Sequence, residues 1–240
     1  MPPGRKDGWD IRPIPEFARQ RDAKATARFV KMHPHLLLPA YPASVYVDGN
    51  ICPTPAASAH CRQIAARHVL SIYRHPFRDC VYDEALECER LGLVYVGKIA
   101  GTLARYRAAG FPAHAGLQES NVLIRRHHDA QLIRLMALWW RAYESGVTRD
   151  QLSLPYLLWR AKFPLHCLGE SDPRFHNRYF GFAPLHQGTP HGRIEQVKKM
   201  NAFYRRMDPQ SRALTWLTQY ERVIRLMMKF DRKISNHSQS

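Results

Sequence analysis

Apolar positions along this chain recur either in short unbroken runs, as strands require, or every third to fourth residue, as helices require. Trp9 to Pro15 shows neither pattern and reads as a loop. From Asp22 to Met32 the spacing predicts an Ala-rich helix with Lys24, Arg28 and Lys31 on one face. Pro34 ends it, and Pro39 and Pro42 keep the next segment from resuming a helix. Ser44-Val45-Tyr46-Val47 is β-branched and aromatic, the composition of a buried strand. It stops at Asp48-Gly49-Asn50, a turn composition.

The same reading predicts strands over Val69–Tyr73, Asn121–Ile124 and, last, Leu165–Leu168. Helices are predicted over Cys80–Leu91, with Asp79 placed to cap it, and over Lys98–Ala109 and Asp150–Trp159. The longest, Ala130–Glu144, lines up Leu132, Leu135, Met136 and Trp139 and ends at Gly146. Strands separated by helices predict an α/β layered sheet. Beyond Gly188 the pattern changes to two basic helices, Arg193–Met207 and Arg212–Lys233, broken at Asp208-Pro209. The chain therefore divides into a sheet domain over 9–188 and a basic helical extension over 189–240. The second of these helices carries an apolar stripe of Leu214, Leu217, Tyr220, Ile224 and Met227. It reads either as a helix packed on the domain or as one docking on an anionic membrane or a protein partner.

Charge narrows the choice of partner only partly. Lys and Arg number 36 against 20 Asp and Glu, a net charge of +16 in 240 residues. That balance favours a polyanion: nucleic acid, a membrane face or the diphosphate of an activated sugar. No helix-turn-helix, zinc-finger or RNA-recognition motif is visible, which argues against specific nucleic-acid binding. Cys52, Cys61, Cys80, Cys88 and Cys167 form no CxxC pair, so the simplest reading is mostly buried thiols in a reducing compartment. Met1 to Asp10 has no apolar signal core and no window is apolar enough to span a bilayer, so a cytoplasmic chain is expected.

Candidate chemistry concentrates at Asp48-Gly49-Asn50. An acidic residue at the carboxyl end of a strand lies where open α/β sheets bind ligands. A carboxylate and an amide oxygen two residues apart can share a hard cation such as Mn2+ or Mg2+. Alone, the tripeptide is ordinary turn chemistry. Three longer stretches surround it: Ala27-Arg28-Phe29-Val30-Lys31-Met32-His33-Pro34-His35, then Arg74-His75-Pro76-Phe77-Arg78-Asp79-Cys80-Val81-Tyr82-Asp83-Glu84-Ala85, then Arg149-Asp150-Gln151-Leu152-Ser153-Leu154-Pro155-Tyr156. Together they closely resemble the glycosyltransferase-like domain family typified by plant mucilage-related and turgor-regulation-defect proteins. The resemblance covers roughly Trp9 to His186.

It implies an α/β fold with a GT-A-like mixed sheet flanked by helices, and a nucleotide-diphospho-sugar donor transferred to a glycan or related acceptor. The metal-binding Asp-x-Asp position of that fold maps onto Asp48 and Asn50, where the amide removes one negative charge. Arg28 and Lys31 before the strand, and His75 and Arg78 after the next, are the donor-binding candidates, with solvated helix charge as the alternative for the first two. Asp150 and Glu119 are the candidate general bases, although Asp150 is equally placed to be an N-cap. Arg149 and Gln151 are candidates for the acceptor. His176 is the candidate third metal ligand, with His186 as a second choice. Asp79, Asp83 and Glu84 read as capping and helix-surface residues.

Members of that family carry a strand and a Gly-rich turn before the Trp9 position, whereas eight residues precede it here. The resemblance therefore implies an N-terminally truncated sheet and weak or no nucleotide binding. That leaves a degenerate domain acting as a binding or scaffold protein as the second reading, and an anionic-surface binder as the third. A hydrolase has no nucleophile motif here.

Overall fold

Gly4–Lys6 (β1) pairs antiparallel with Trp9–Ile11 (β2), so the segment that read as a loop opens with a strand three residues long. That length is too short for alternation to register in the sequence. After one 3₁₀ turn at Glu16–Ala18, Asp22 accepts a hydrogen bond from the Ala25 N–H at 2.6 Å and caps α1 (Ala23–Met32). Pro34 both stops α1 and opens a one-turn helix, α2 (Pro34–Leu37), because a first-turn proline loses no helical hydrogen bond.

The computed structural model describes residues 4–6, 9–90, 93–94, 96–169, 178–182, 201, 215 and 218–223. The chain separates into two units, Met1–Tyr46 with Cys61–Glu170, and Val47–His60 with Ser171–Ser240. In the first unit a four-stranded sheet has the order β3 (Ser44–Val47), β6 (Gln118–Arg125), β5 (Leu70–Arg74) and β7 (Leu165–Cys167). β5 runs antiparallel to β6 and parallel to β7, so the sheet is mixed. Interior position explains burial: β6 is buried from Glu119 to Arg125, and β5 from Leu70 to Tyr73. β3 forms where the sequence predicts a strand, but it is an edge strand and Val45 is 43% exposed, not the buried strand its composition predicts. An edge strand has one neighbour and keeps part of its surface in water.

Helix α6 (Ala130–Glu144) buries Leu132, Leu135, Met136 and Trp139, the stripe predicted from spacing. Each such side chain contributes about 1.5–3 kcal/mol when fully buried. Asp129 caps its start through the Gln131 and Leu132 N–H groups. Its end is a Schellman turn: Val147 N–H bonds the Ala142 carbonyl, Gly146 N–H bonds that of Tyr143, and Gly146 takes φ +104°. Helix α7 (Asp150–Arg160) joins two apolar clusters. Leu154 and Leu158 pack with α6 and with Ile72 and Leu123 of the sheet. Leu152 and Tyr156 pack with α4 (Val81–Arg90) and α5 (Val96–Ala108). Two i, i+4 pairs on different faces of one helix thus fix where its N-terminus points.

The second unit contains a strand the sequence reading missed, β4 (Ile51–Pro53), paired antiparallel with β8 (Phe180–Phe182). Leu165–Cys167 is therefore not the last strand. Helix α3 (Ala57–Arg67), also missed, begins in this unit, and His60 on it stacks on Tyr179 with centroids 3.7 Å apart. Of the two basic helices expected past Gly188, residues 201, 215 and 218–223 are described, and all are helical. The rest of them lies outside the described residues.

Four histidines set an acid limit. Burial pushes the titration of His33, His35, His60 and His127 below the ordinary 6.5. A ring whose folded pKa is depressed stabilises the fold above the unfolded value and loses that contribution as pH falls through it. His114 shifts the other way beside Asp79, but that pair is exposed and its effect is screened. Thermal unfolding is therefore expected at a lower temperature at about pH 5 than at about pH 7.5; an equal or higher midpoint at the acid end would contradict this.

Candidate functional site

The polar residues of the first unit gather where β6 leaves its register with β5. Ile72 faces Leu123, but the next residue, Tyr73, faces Glu119. Ser120, Asn121 and Val122 are thereby left out of the one-to-one pairing, a bulge of the kind that re-aims side chains beside functional sites. All three are buried, as is Glu119 at 7% exposure.

Ser120 faces Asp150, the first residue of α7, with its hydroxyl 3.1 Å from Oδ2. The same oxygen receives the Lys31 ammonium at 2.6 Å and lies 3.1 Å from Arg28 Nη1. Lys31 is fully buried, its ammonium also 3.1 Å from Ser120 Oγ and over the rings of Tyr46 and Trp139. Burial works to raise the Asp150 carboxyl, but the charges of Lys31 and Arg28 and the hydrogen bonds outweigh it and hold the group below its ordinary range. The sequence correctly groups Arg28 and Lys31 on one helix face. It does not show that the face points inward, so Lys31 is a core ammonium and not a solvated one. Asp150 is not an N-cap either: Arg149 takes the cap position, without a side-chain cap bond.

A second group lies at the end of β5. The Phe77 and Arg78 N–H groups donate to His75 Nδ1 at 3.3 and 3.1 Å. A nitrogen that accepts carries no proton, so the proton of the neutral ring sits on Nε2. Nε2 lies 3.9 Å from carboxylate oxygens of both Glu84 and Glu119. His75 N–H also bonds the Leu117 carbonyl at 2.8 Å, tying this loop to the approach to β6. Arg78 Nε donates to Glu84 at 2.6 Å, and Gln151 Nε2 to Glu119 at 3.4 Å.

Glu84 corrects the sequence reading. It is 2% exposed, not a helix-surface residue, and its second oxygen accepts from Cys88 Sγ at 3.3 Å. Burial, with Glu84 adding to it, pushes the Cys88 thiol up to about 12. The signal was present: Glu84 shares the i, i+3, i+4, i+7 spacing of Val81, Ala85 and Cys88, the buried face of α4.

Arg28 Nε, Asn121 Oδ1, Arg149 Nε and Ser153 Oγ are buried with no hydrogen-bond partner among the described residues. They belong to α1, β6, and α7 with its N-cap, the elements that supply Arg28, Ser120 and Asp150. Such atoms are uncommon in folded proteins and often mark a place for water or a ligand.

Asp48 and Asn50 fall in the second unit. The Ile51 N–H bonds the Asp48 carbonyl at 2.8 Å, which closes a tight turn with Gly49 and Asn50 at its corners. Both side-chain-bearing residues are half-buried. His176 and His186 lie outside the described residues. The group of three metal-ligating side chains found among the described residues is elsewhere, at Cys80, Asp83 and His114.

The class these features define is an α/β protein with a GT-A-like mixed sheet flanked by helices. Within it, the chain belongs to the family described as TOD1/MUCI70, glycosyltransferase-like domain, whose profile matches residues 9–170. Neither a curated protein nor a solved structure matches the chain. Among the described residues no helix is long and apolar enough to cross a membrane.

Proposed function

We propose that the protein transfers a sugar from a nucleoside-diphosphate donor to a glycan or related acceptor. The observation that carries this reading is the Asp48-Gly49-Asn50 turn following a sheet strand in a member of a glycosyltransferase-like family. A carboxylate and an amide oxygen are hard donors and fit Mn2+ or Mg2+ completed by the phosphates of the donor. A divalent ion there supplies neutralising charge to the leaving diphosphate. His176 is retained as a proposed further ligand.

In the first unit, Arg28, His75 and Arg78 carry the chemistry for a phosphate or an acceptor carboxylate. Lys31 is assigned to holding Asp150. Arg149 and Gln151, flanking Asp150, are assigned to the acceptor. Of the two candidate bases, Glu119 suits proton abstraction better, since Asp150 is held by two cations and is weakly basic. Glu119→Gln is expected to lower the transfer rate about 100-fold with thermal stability near that of the parent. Unchanged transfer would remove Glu119 from the reaction.

Asn50 favours a second reading, a domain that binds a sugar nucleotide or glycan without turning it over, because the amide lacks the charge of a carboxylate. Hydrolysis of donor in the absence of acceptor separates the two.

A further inference from the structure

The N-terminal turn of α4 and the loop before β6 bring together a thiol, a carboxylate and an imidazole that the proposed transfer does not use. The ligand atoms of Cys80, Asp83 and His114 all lie within 4.8 Å of one another. Cys80 is 2% exposed and packed in the α4–α5–α7 cluster, so its sulfur is fixed in position. Asp83 and His114 are exposed and able to rotate. Ligands on a tetrahedral zinc sit about 2.0–2.3 Å from the ion, hence about 3.3–3.7 Å from each other. The two mobile side chains have roughly 1 Å to close.

We infer that Cys80, Asp83 and His114 form a zinc site that clamps the loop at 112–116 onto the start of α4. The donor set selects the ion. A thiolate and an imidazole favour Zn2+ over Mg2+ or Mn2+, unlike the hard oxygens at Asp48 and Asn50. One thiolate and one carboxylate balance the 2+ charge, so no net charge is placed against the apolar cluster behind Cys80. Asp79 completes the arrangement: its Oδ1 is 2.7 Å from His114 Nδ1, the outer-shell carboxylate that orients a ligating histidine and leaves Nε2 for the ion. Its carbonyl also accepts from Gly116 N–H at 2.9 Å, so the loop and the helix start are already joined. His114 takes φ 55°, a backbone conformation uncommon outside glycine, at the point where its ring must face α4. Three protein ligands leave a fourth position for water.

The clamp lies next to the His75 loop, because Leu117 accepts from His75 N–H one residue after Gly116. Metal binding would therefore stabilise the loop that carries His75 and Arg78 without contacting substrate. The test is a Co2+ titration of the metal-free full chain, followed by Zn2+ displacement. Expected is one equivalent of Co2+ with a near-ultraviolet thiolate charge-transfer band, displaced by Zn2+, and a rise in melting temperature with Zn2+. The band is expected to vanish in Cys80→Ser and to persist in the Cys52→Ser, Cys167→Ser double variant, which removes the two exposed thiols. Because Cys80 is buried and its replacement is liable to disturb folding, His114→Ala, an exposed position, decides the matter. It is expected to abolish both the band and the Zn2+-induced shift, and Asp79→Asn to weaken binding about 10–100-fold. Absence of the band in the parent chain, a band that survives His114→Ala, or one lost with Cys52 and Cys167 would overturn the assignment.

Discussion

Asp150→Ala is expected to destabilise the protein by about 3–5 kcal/mol, the largest effect of any single substitution considered for the fold. The carboxylate is 5% exposed and faces two cations, Lys31 at 2.6 Å and Arg28 at 3.1 Å. Removing it takes the carboxylate away from a fully buried ammonium that also meets the Ser120 hydroxyl and the rings of Tyr46 and Trp139. Breaking a buried pair on one side is far costlier than removing both partners, because the remaining charge stays out of water. Asp150→Asn, which keeps an oxygen acceptor, is expected to cost less, about 1–3 kcal/mol. Lys31→Met combined with Asp150→Leu is expected to recover much of the loss. Urea unfolding of the three variants provides the check. A loss under about 1 kcal/mol for Asp150→Ala would mean the pair is solvent-screened, and Asp150 would return to the list of candidate bases.

Asp48→Ala is expected to reduce donor turnover by at least about 100-fold, the scale of losing one preorganised electrostatic contact to a developing charge. Its effect on stability is expected to stay within about 0.5 kcal/mol. The turn is closed by its backbone, Ile51 N–H to the Asp48 carbonyl, and that bond is kept in the variant. Asn50→Asp provides the converse: restoring the second negative charge is expected to tighten Mn2+ binding and lower the metal concentration needed for half-maximal turnover. Full activity in Asp48→Ala would take the turn out of the mechanism.

The sequence was most legible where side chains repeat with a helical period over several turns. The bounds of Ala130–Glu144 and four of its buried side chains, Leu132, Leu135, Met136 and Trp139, were legible, and Tyr143, one turn further on, is buried with them. The three-residue strands β1, β2, β4 and β8 are too short to display a period and went unread, whereas β7, equally short, was read from its composition. For the candidate site, the residue list was legible and the environment was not. Arg28 and Lys31 could be placed on one face, but only the meeting of α1 with β6 and α7 decides that Lys31 is buried and paired. The bulge at Ser120–Val122 is a property of pairing between strands distant in sequence, so no local pattern announces it. Glu84 stands between these cases. Its helical register pointed inward, and its charge concealed the fact.

Release of nucleoside diphosphate tests the central claim most directly. The full chain is incubated with a panel of nucleotide sugars over a wide range of concentrations, with Mn2+ and with a chelator in its place. Release is expected from at least one donor, dependent on Mn2+ and faster when a glycan acceptor is present. No release from any donor, at concentrations where binding is saturated, would contradict glycosyl transfer and leave the non-catalytic binding module as the reading that stands.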